Sequence, residues 1–224
     1  MKSVITTRGI TPASRSRHWH QAIADTYFPL EIQFGNSDRF NGELVNWRLG
    51  DVSLSRLTAQ GTMYRRMPRH LVNETAEDFL ITVPAKSEVH FSQCGKDVRC
   101  TPGGFIIERS DEPYEFSHAA AADLWVVKVG AAALAGRIRS PNRFCSLQFD
   151  ATNGAGGLFV DMLQHIPSRF DAMTDEVRST VGAQLVDLLV LSLHADERTL
   201  TVGNSSVREA HLTRIESFVR SCLG

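Results

Sequence analysis

The strongest constraint on the fold is a change of period along the chain. Between residues 30 and 129 apolar side chains recur at alternate positions in short runs, each broken by Gly, Pro, Asn or Asp. A period of two puts successive side chains on opposite faces of a strand. Residues 30–34, 43–49, 52–58 and 63–67 each read as such a strand. In 87–93, Val89, Phe91 and Gln93 share one face while Glu88, His90 and Ser92 share the other, so this strand has one wet side. Gly95-Lys96 then turns the chain into 97–100, Pro102-Gly103-Gly104 turns it into 105–109, and Asp111-Glu112-Pro113 leads into 114–118, the order of an antiparallel meander. The last strand, 124–129, is apolar on both faces and is expected to be mostly buried. About nine or ten short strands with frequent turns predict a barrel or sandwich.

Outside that region the period is helical. Thr11-Pro12, a capping oxygen followed by a proline at the first helical position, precedes Trp19, Ile23 and Tyr27 at four-residue steps, which predicts a short amphipathic helix. Residues 131–138 read as a short helix and 143–149 as a late strand before a glycine-rich break at 154–157. Leu158, Phe159, Met162, Leu163 and Ile166 then form one apolar stripe, and Val177, Val181, Leu185, Leu188 and Leu189 form another on a longer helix ending near His194. The two are expected to pack as a hairpin. The second helix is apolar well beyond one stripe, because Val186, Val190, Leu191 and Leu193 also need cover. A second subunit is expected to supply it, with Val181, Leu185, Leu188, Leu189 and Ser192 as the dimer interface.

The organisation that follows is a mainly β, α+β chain: an antiparallel barrel or sandwich with its N-terminal helix over 1–150, a helical dimerisation hairpin over 151–195, and a polar linker over 196–205. Over 206–224, a capping-box pattern at Ser206 and Glu209 opens an amphipathic helix carrying Leu212, Ile215, Val219 and Cys222.

Lys and Arg number 24 against 25 Asp and Glu, a net charge of -1 that exerts no overall pull on a polyanion. The four cysteines, Cys94, Cys100, Cys145 and Cys222, form no Cys-x-x-Cys pair and follow no signal peptide, so free thiols in a reducing cytoplasm are expected. Residues 119–129 are interrupted by Asp123 and Lys128, and 185–193 are too few to span hydrocarbon, so no membrane insertion is expected.

The succession Asp78-Phe-Leu-Ile-Thr-Val, Val89-His-Phe-Ser-Gln, Thr101-Pro-Gly-Gly-Phe-Ile-Ile-Glu, Glu112-Pro-Tyr and Leu124-Trp-Val-Val-Lys-Val resembles the cupin-like sensor domain of AraC/XylS transcription regulators. Tyr64-Arg65-Arg66-Met67-Pro68 matches the basic strand that precedes these runs in the family, and 131–138 the short helix that follows them, so the resemblance covers about residues 15 to 195. The tail His211-Leu-Thr-Arg-Ile-Glu-Ser-Phe-Val-Arg-Ser-Cys-Leu-Gly resembles the first helix of the family's DNA-binding domain. One departure is Glu112, which stands where a basic residue is usual. The resemblance implies a regulator that senses a small-molecule effector, pairs as a homodimer and touches DNA only through a missing C-terminal domain.

A cupin-like barrel can also be a metalloenzyme acting on a small molecule, and that alternative needs converging ligands. His18-Trp19-His20 is the only His-x-His, but on a helix residues two apart point away from each other. His90 and His118 lie on separate strands with no third ligand beyond a weak candidate in Glu88. No Gly-x-Ser-x-Gly elbow occurs and no cysteine has a catalytic signature. Neither a catalytic residue, a metal nor a cofactor is expected.

Ligand binding has more support. Val52, Leu54 and Arg56 share a face, so if that face lines the barrel the guanidinium can meet a carboxylate in a dry pocket; the plainer reading is that Arg56 reaches out to water. Arg109, beside Phe105 and Ile107, carries the same two readings. Tyr114, Phe116 and His118 share another face, and Trp47 and Trp125 are large enough to wall an aromatic effector, although aromatics mostly fill cores. Arg65, Arg66, Arg69 and His70 form a basic cluster best read as a solvated hairpin edge. The candidate ligand-binding set is Trp47, Arg56, Arg66, Phe91, Arg109, Tyr114 and Trp125, and its content tilts the expected effector toward aromatic or carboxylate-bearing compounds.

Overall fold

The computed structural model describes residues 1–37, 39–72 and 77–196. The expected linker beyond residue 196 and the expected helix over 206–224 lie outside the described residues.

Two antiparallel sheets face each other as a sandwich. The larger has seven strands in the order β1 (Lys2–Thr6), β3 (Gly42–Leu49), β4 (Val52–Ala59), β11 (Ala122–Gly130), β6 (Asp78–Lys86), β9 (Gly104–Arg109) and β12 (Gln148–Asp150). The smaller has five, in the order β2 (Glu31–Phe34), β5 (Thr62–Arg66), β10 (Tyr114–His118), β7 (Val89–Gln93) and β8 (Lys96–Cys100). The sheets are not closed on each other, which settles the barrel-or-sandwich alternative as a sandwich. Neighbouring strands in sequence repeatedly alternate between the sheets, as cupin-like folds require.

The large sheet is apolar on both faces. Leu44, Leu57, Leu80, Ile106, Leu124 and Val126 point inward and meet Ile32, Tyr64, Val89, Phe91, Tyr114 and Phe116 of the small sheet. Helix α1 (Pro12–Thr26) adds Trp19, Ala22 and Ile23 to this inner core. The opposite parity, including Trp47, Leu54, Ile81, Ile107, Trp125 and Val127, points outward into a second core. That core is covered by α2 (Ala131–Ala135), α3 (Gly154–Arg169) and α4 (Asp175–His194), with α3 packed on α4 as the stripes predict. Each buried aliphatic side chain contributes roughly 1.5–3 kcal/mol relative to exposure, so a strand with both faces covered, such as β11, is worth about twice a strand with one.

Three local expectations are corrected. Thr11 does precede α1, but its side chain makes no capping bond; the fixed backbone of Pro12 and the apolar face carry the start instead. The late strand shrinks to β12 because Pro141–Phe144 coil into a 3-10 turn. The third is an omission: strand β1, absent from the predicted elements despite the β-branched run Val4, Ile5 and Thr6, pairs along the edge of β3 from Lys2 opposite Trp47 through Thr6 opposite Glu43.

Helix α4 approaches the large sheet most closely at Gly182, where an added Cβ would sit 2.2 Å from the backbone oxygen of Leu49. Gly182→Ala is expected to lower stability by about 1–3 kcal/mol in urea unfolding, whereas Gly136→Ala, whose Cβ would meet nothing within 4 Å, leaves it within about 0.5 kcal/mol.

Candidate ligand-binding site

The inner core does not close completely. A cavity of about 50 Å³ remains between the sheets. Its apolar wall comes from Ile23 of α1, Leu30 just before β2, Leu57 of β4 and Leu124 and Val126 of β11. Its aromatic wall is Tyr27, Tyr64, Tyr114 and Phe116, and its polar floor is Thr82 of β6 and Glu108 of β9. A space of this size holds one or a few waters or a group of a few heavy atoms.

Each of these polar groups is buried. Tyr27 and Ser55 share a 2.6 Å hydrogen bond between hydroxyls, and Ser55 Oγ also lies 3.3 Å from the Val126 carbonyl it donates to. Trp19 Nε1 donates to the Tyr64 hydroxyl at 3.2 Å. Burial, opposed by the bonds from Trp19 and Thr62, pushes the Tyr64 phenol up to about 12, and burial raises Tyr27 and Tyr114 as well. All three rings therefore face the cavity uncharged. Glu108 accepts a 2.5 Å bond from Thr82 Oγ1 and forms no ion pair among the described residues. Burial pushes its carboxyl up to about 7 despite the Thr82 bond.

A strap over residues 27–30 contributes Tyr27 and Leu30 to the cavity wall. Two cations hold it through its backbone carbonyls: Lys128 Nζ donates to Tyr27 O at 2.8 Å and pairs with Asp78 at 3.0 Å. Arg66 donates to Pro29 O at 2.5 Å and to Ser110 O at 3.1 Å, with its guanidinium carbon 4.3 Å from the Phe28 ring centroid. Arg66 is thus an inward residue of β5, not part of a solvated edge, while Arg65 pairs outward with Glu115 at 2.9 Å.

The sequence-derived candidates separate into three places. Tyr114 lines the cavity, and Phe91 and Arg66 lie in the core around it. Trp47, Arg56 and Trp125 come together on the outer face instead, around a surface groove of about 540 Å³ that also includes Lys2, Val4 and Pro167. The face of β4 carrying Leu54 and Arg56 is the outward one; Ser55 and Leu57 point inward. There Arg56 grips Asp123 with two bonds of 2.8 and 2.7 Å and lies 5.1 Å from the Trp125 ring centroid, while the buried Trp47 Nε1 has no partner. Arg109 is also on the outward parity, bound to Asp111 at 3.0 and 2.7 Å. Glu108, next to it, is among the cavity residues that sequence reasoning missed, with Tyr27, Tyr64 and Thr82; its signal was a carboxylate in an otherwise apolar run, Phe105 to Ile107.

At one end of the sandwich a more open pocket of about 690 Å³ is bordered by Phe34, Phe40, Thr62, His90 and His118. His118 Nδ1 lies 3.0 Å from the Ala120 carbonyl, which can only accept, so the proton is on Nδ1. Burial lowers the pKa of this ring, and its buried Nε2 has no partner. His90 instead faces Glu88 on the wet side at 2.9 Å. Among the described residues no group of three or more His, Cys, Asp or Glu is placed to hold a metal ion.

Residues 19–194 match the AraC-binding-like domain family. The chain belongs to that family. This agrees with the resemblance to the sensor domain of AraC/XylS regulators that its sequence carries. A curated relative, the transcriptional activator NphR from a Rhodococcus species, is 23% identical over 219 residues, which is 96% of this chain and 63% of that protein. The chain therefore spans less than two thirds of that activator's length. Among solved structures, the AraC-like transcriptional activator CuxR superposes with a TM-score of 0.74 over 87% of this chain and 70% of its own, at 14% identity, a likeness of fold. An RmlC-like cupin from Shewanella frigidimarina aligns over 46% of this AraC-type chain and 85% of its own, with a TM-score of 0.32 and 12% identity.

The pH dependence of stability tests the environment of Glu108. Its carboxyl, ordinarily at 4.5, is held near 7 in the folded chain, so between those values the folded state binds the proton more tightly than the unfolded state. The residue therefore costs stability progressively as pH rises from 4.5 to 7. Glu108→Gln is expected to gain on the order of 2 kcal/mol at pH 8 and little at pH 4.5, read as urea midpoints at the two pH values.

Proposed function

We propose that this chain is the sensing and dimerisation part of an AraC-type transcription regulator, taking a small organic effector into the cavity between its sheets. The carrying observation is the internal cavity itself, walled by uncharged aromatic rings and floored by a buried carboxyl, in a domain of the AraC-binding-like family. The effector favours one arrangement of the sandwich, and the large sheet passes that preference to the α3–α4 hairpin on its other face.

The hairpin pairs two copies. Of the expected contacts, Leu185, Leu189 and Ser192 are buried within the chain's own core, and Val181 and Leu188 are half-buried. The interface in this proposal thus shifts by part of a helical turn, to the face bearing Val177, Val181, Leu188 and Leu191. Three of the six exposed large hydrophobics among the described residues, Leu158 at 57%, Val177 at 46% and Leu191 at 54%, are on these two helices. DNA contact is left to a separate helix-turn-helix region, in keeping with the absence of a basic excess in the chain. The reading is of a cytoplasmic, non-catalytic protein; no helix among the described residues is long and apolar enough to cross a membrane.

A thermal-shift screen of chemically diverse small molecules tests the sensing role. A ligand present at 100 times its Kd adds about 2.7 kcal/mol to the stability of the folded state, and its effect should vanish when the cavity is filled by Leu124→Trp; a screen without a single stabilising compound contradicts the reading. Leu191→Glu is expected to convert a dimer to a monomer in sedimentation velocity, and an unchanged profile removes the hairpin from the interface.

A further inference from the structure

The cavity has an electrostatic vacancy in its wall. Glu108 is almost wholly buried, and among the described residues its single hydrogen-bond donor is the Thr82 hydroxyl. The two cations that hold the strap are committed elsewhere: Lys128 to Tyr27 O and Asp78, Arg66 to Pro29 O and Ser110 O. A buried carboxyl without a countercharge is costly to keep. Around it stand the rings of Tyr27, Tyr64, Tyr114 and Phe116, and aromatic faces attract organic cations through their quadrupoles. One carboxyl among four rings is a surrounding that suits an organic cation and repels an anion.

We propose, resting on the sensing role above, that the effector is a small organic amine whose ammonium head sits in this cavity against Glu108 and among the tyrosine rings. The carboxylate supplies the countercharge and the ammonium supplies the hydrogen-bond donors that Thr82 alone does not. This replaces the carboxylate-bearing effector that arginine content suggested, because Arg56 and Arg109 lie on the outward parity and are bound to Asp123 and Asp111. The volume, about 50 Å³, admits the head group of such an amine, and a larger tail is accommodated by displacing Tyr27 and Leu30 of the strap.

Isosteric probes that differ in charge decide the matter. Benzylamine, benzyl alcohol and benzoate, with ethylamine as the head group alone, are titrated into the full chain by calorimetry and thermal shift at pH 8. Expected are binding of benzylamine, weaker binding of ethylamine, and at least a tenfold loss of amine affinity in Glu108→Gln, with its fold checked by near-ultraviolet circular dichroism. Glu108→Met provides the same comparison if the glutamine variant does not fold. Preferential binding of benzyl alcohol or benzoate, or an amine affinity unchanged in both variants, overturns the amine while leaving the sensing role in place. Absence of amine binding also overturns it, and the sensing role then falls only if the diverse screen is empty too.

Discussion

Burial of apolar side chains on both faces of the seven-stranded sheet is the constraint from which the rest of the architecture follows. One face needs a second sheet and the other needs helices, so the chain is obliged to be three layers deep. Strand β11 shows the demand most plainly, since Leu124 and Val126 enter the inner core while Trp125 and Val127 enter the outer one. Neither the sandwich nor the hairpin could be removed without stripping cover from the same strand. This also explains why α4 has apolar residues beyond one stripe: Leu185, Val186, Leu189 and Leu193 are all consumed by the sheet and by α3.

That sharing makes the sheet a mechanical link. Residues adjacent along β4 or β11 serve opposite cores, so a shift of Leu124 on the cavity side moves the backbone that also carries Trp125 toward the helices. Interiors are close-packed and pass strain on with little loss. The tight contact of Gly182 with the Leu49 carbonyl leaves α4 no slack against β3. An effector need not touch the hairpin to bias it.

Strand positions, the turns between them, the helical hairpin and the family likeness were legible because alternation, Gly and Pro punctuation and helical stripes are local properties. Which side of a strand faces which core was not. In β4 both parities hold apolar and polar groups, Leu54 with Arg56 against Leu57 with Ser55, and only the partner across space, Tyr27 for Ser55 and Asp123 for Arg56, decides between them. Glu108 was hidden for the same reason, because a carboxylate next to Arg109 near a strand end resembles ordinary surface. Expectations that depend on parity, above all the arginine-lined pocket, are the ones the three-dimensional arrangement overturns.

The strap over 27–30 has a kinetic meaning. It is fastened at two carbonyls by cations from different sheets, Lys128 from the large one and Arg66 from the small one, and charge-assisted bonds of this kind are stronger than neutral ones. Freeing the strap therefore means breaking bonds to both sheets. Local opening of such a segment belongs to the microsecond-to-second range. How fast that part of the cavity wall can part thus depends on one lysine and one arginine that do not themselves line the cavity.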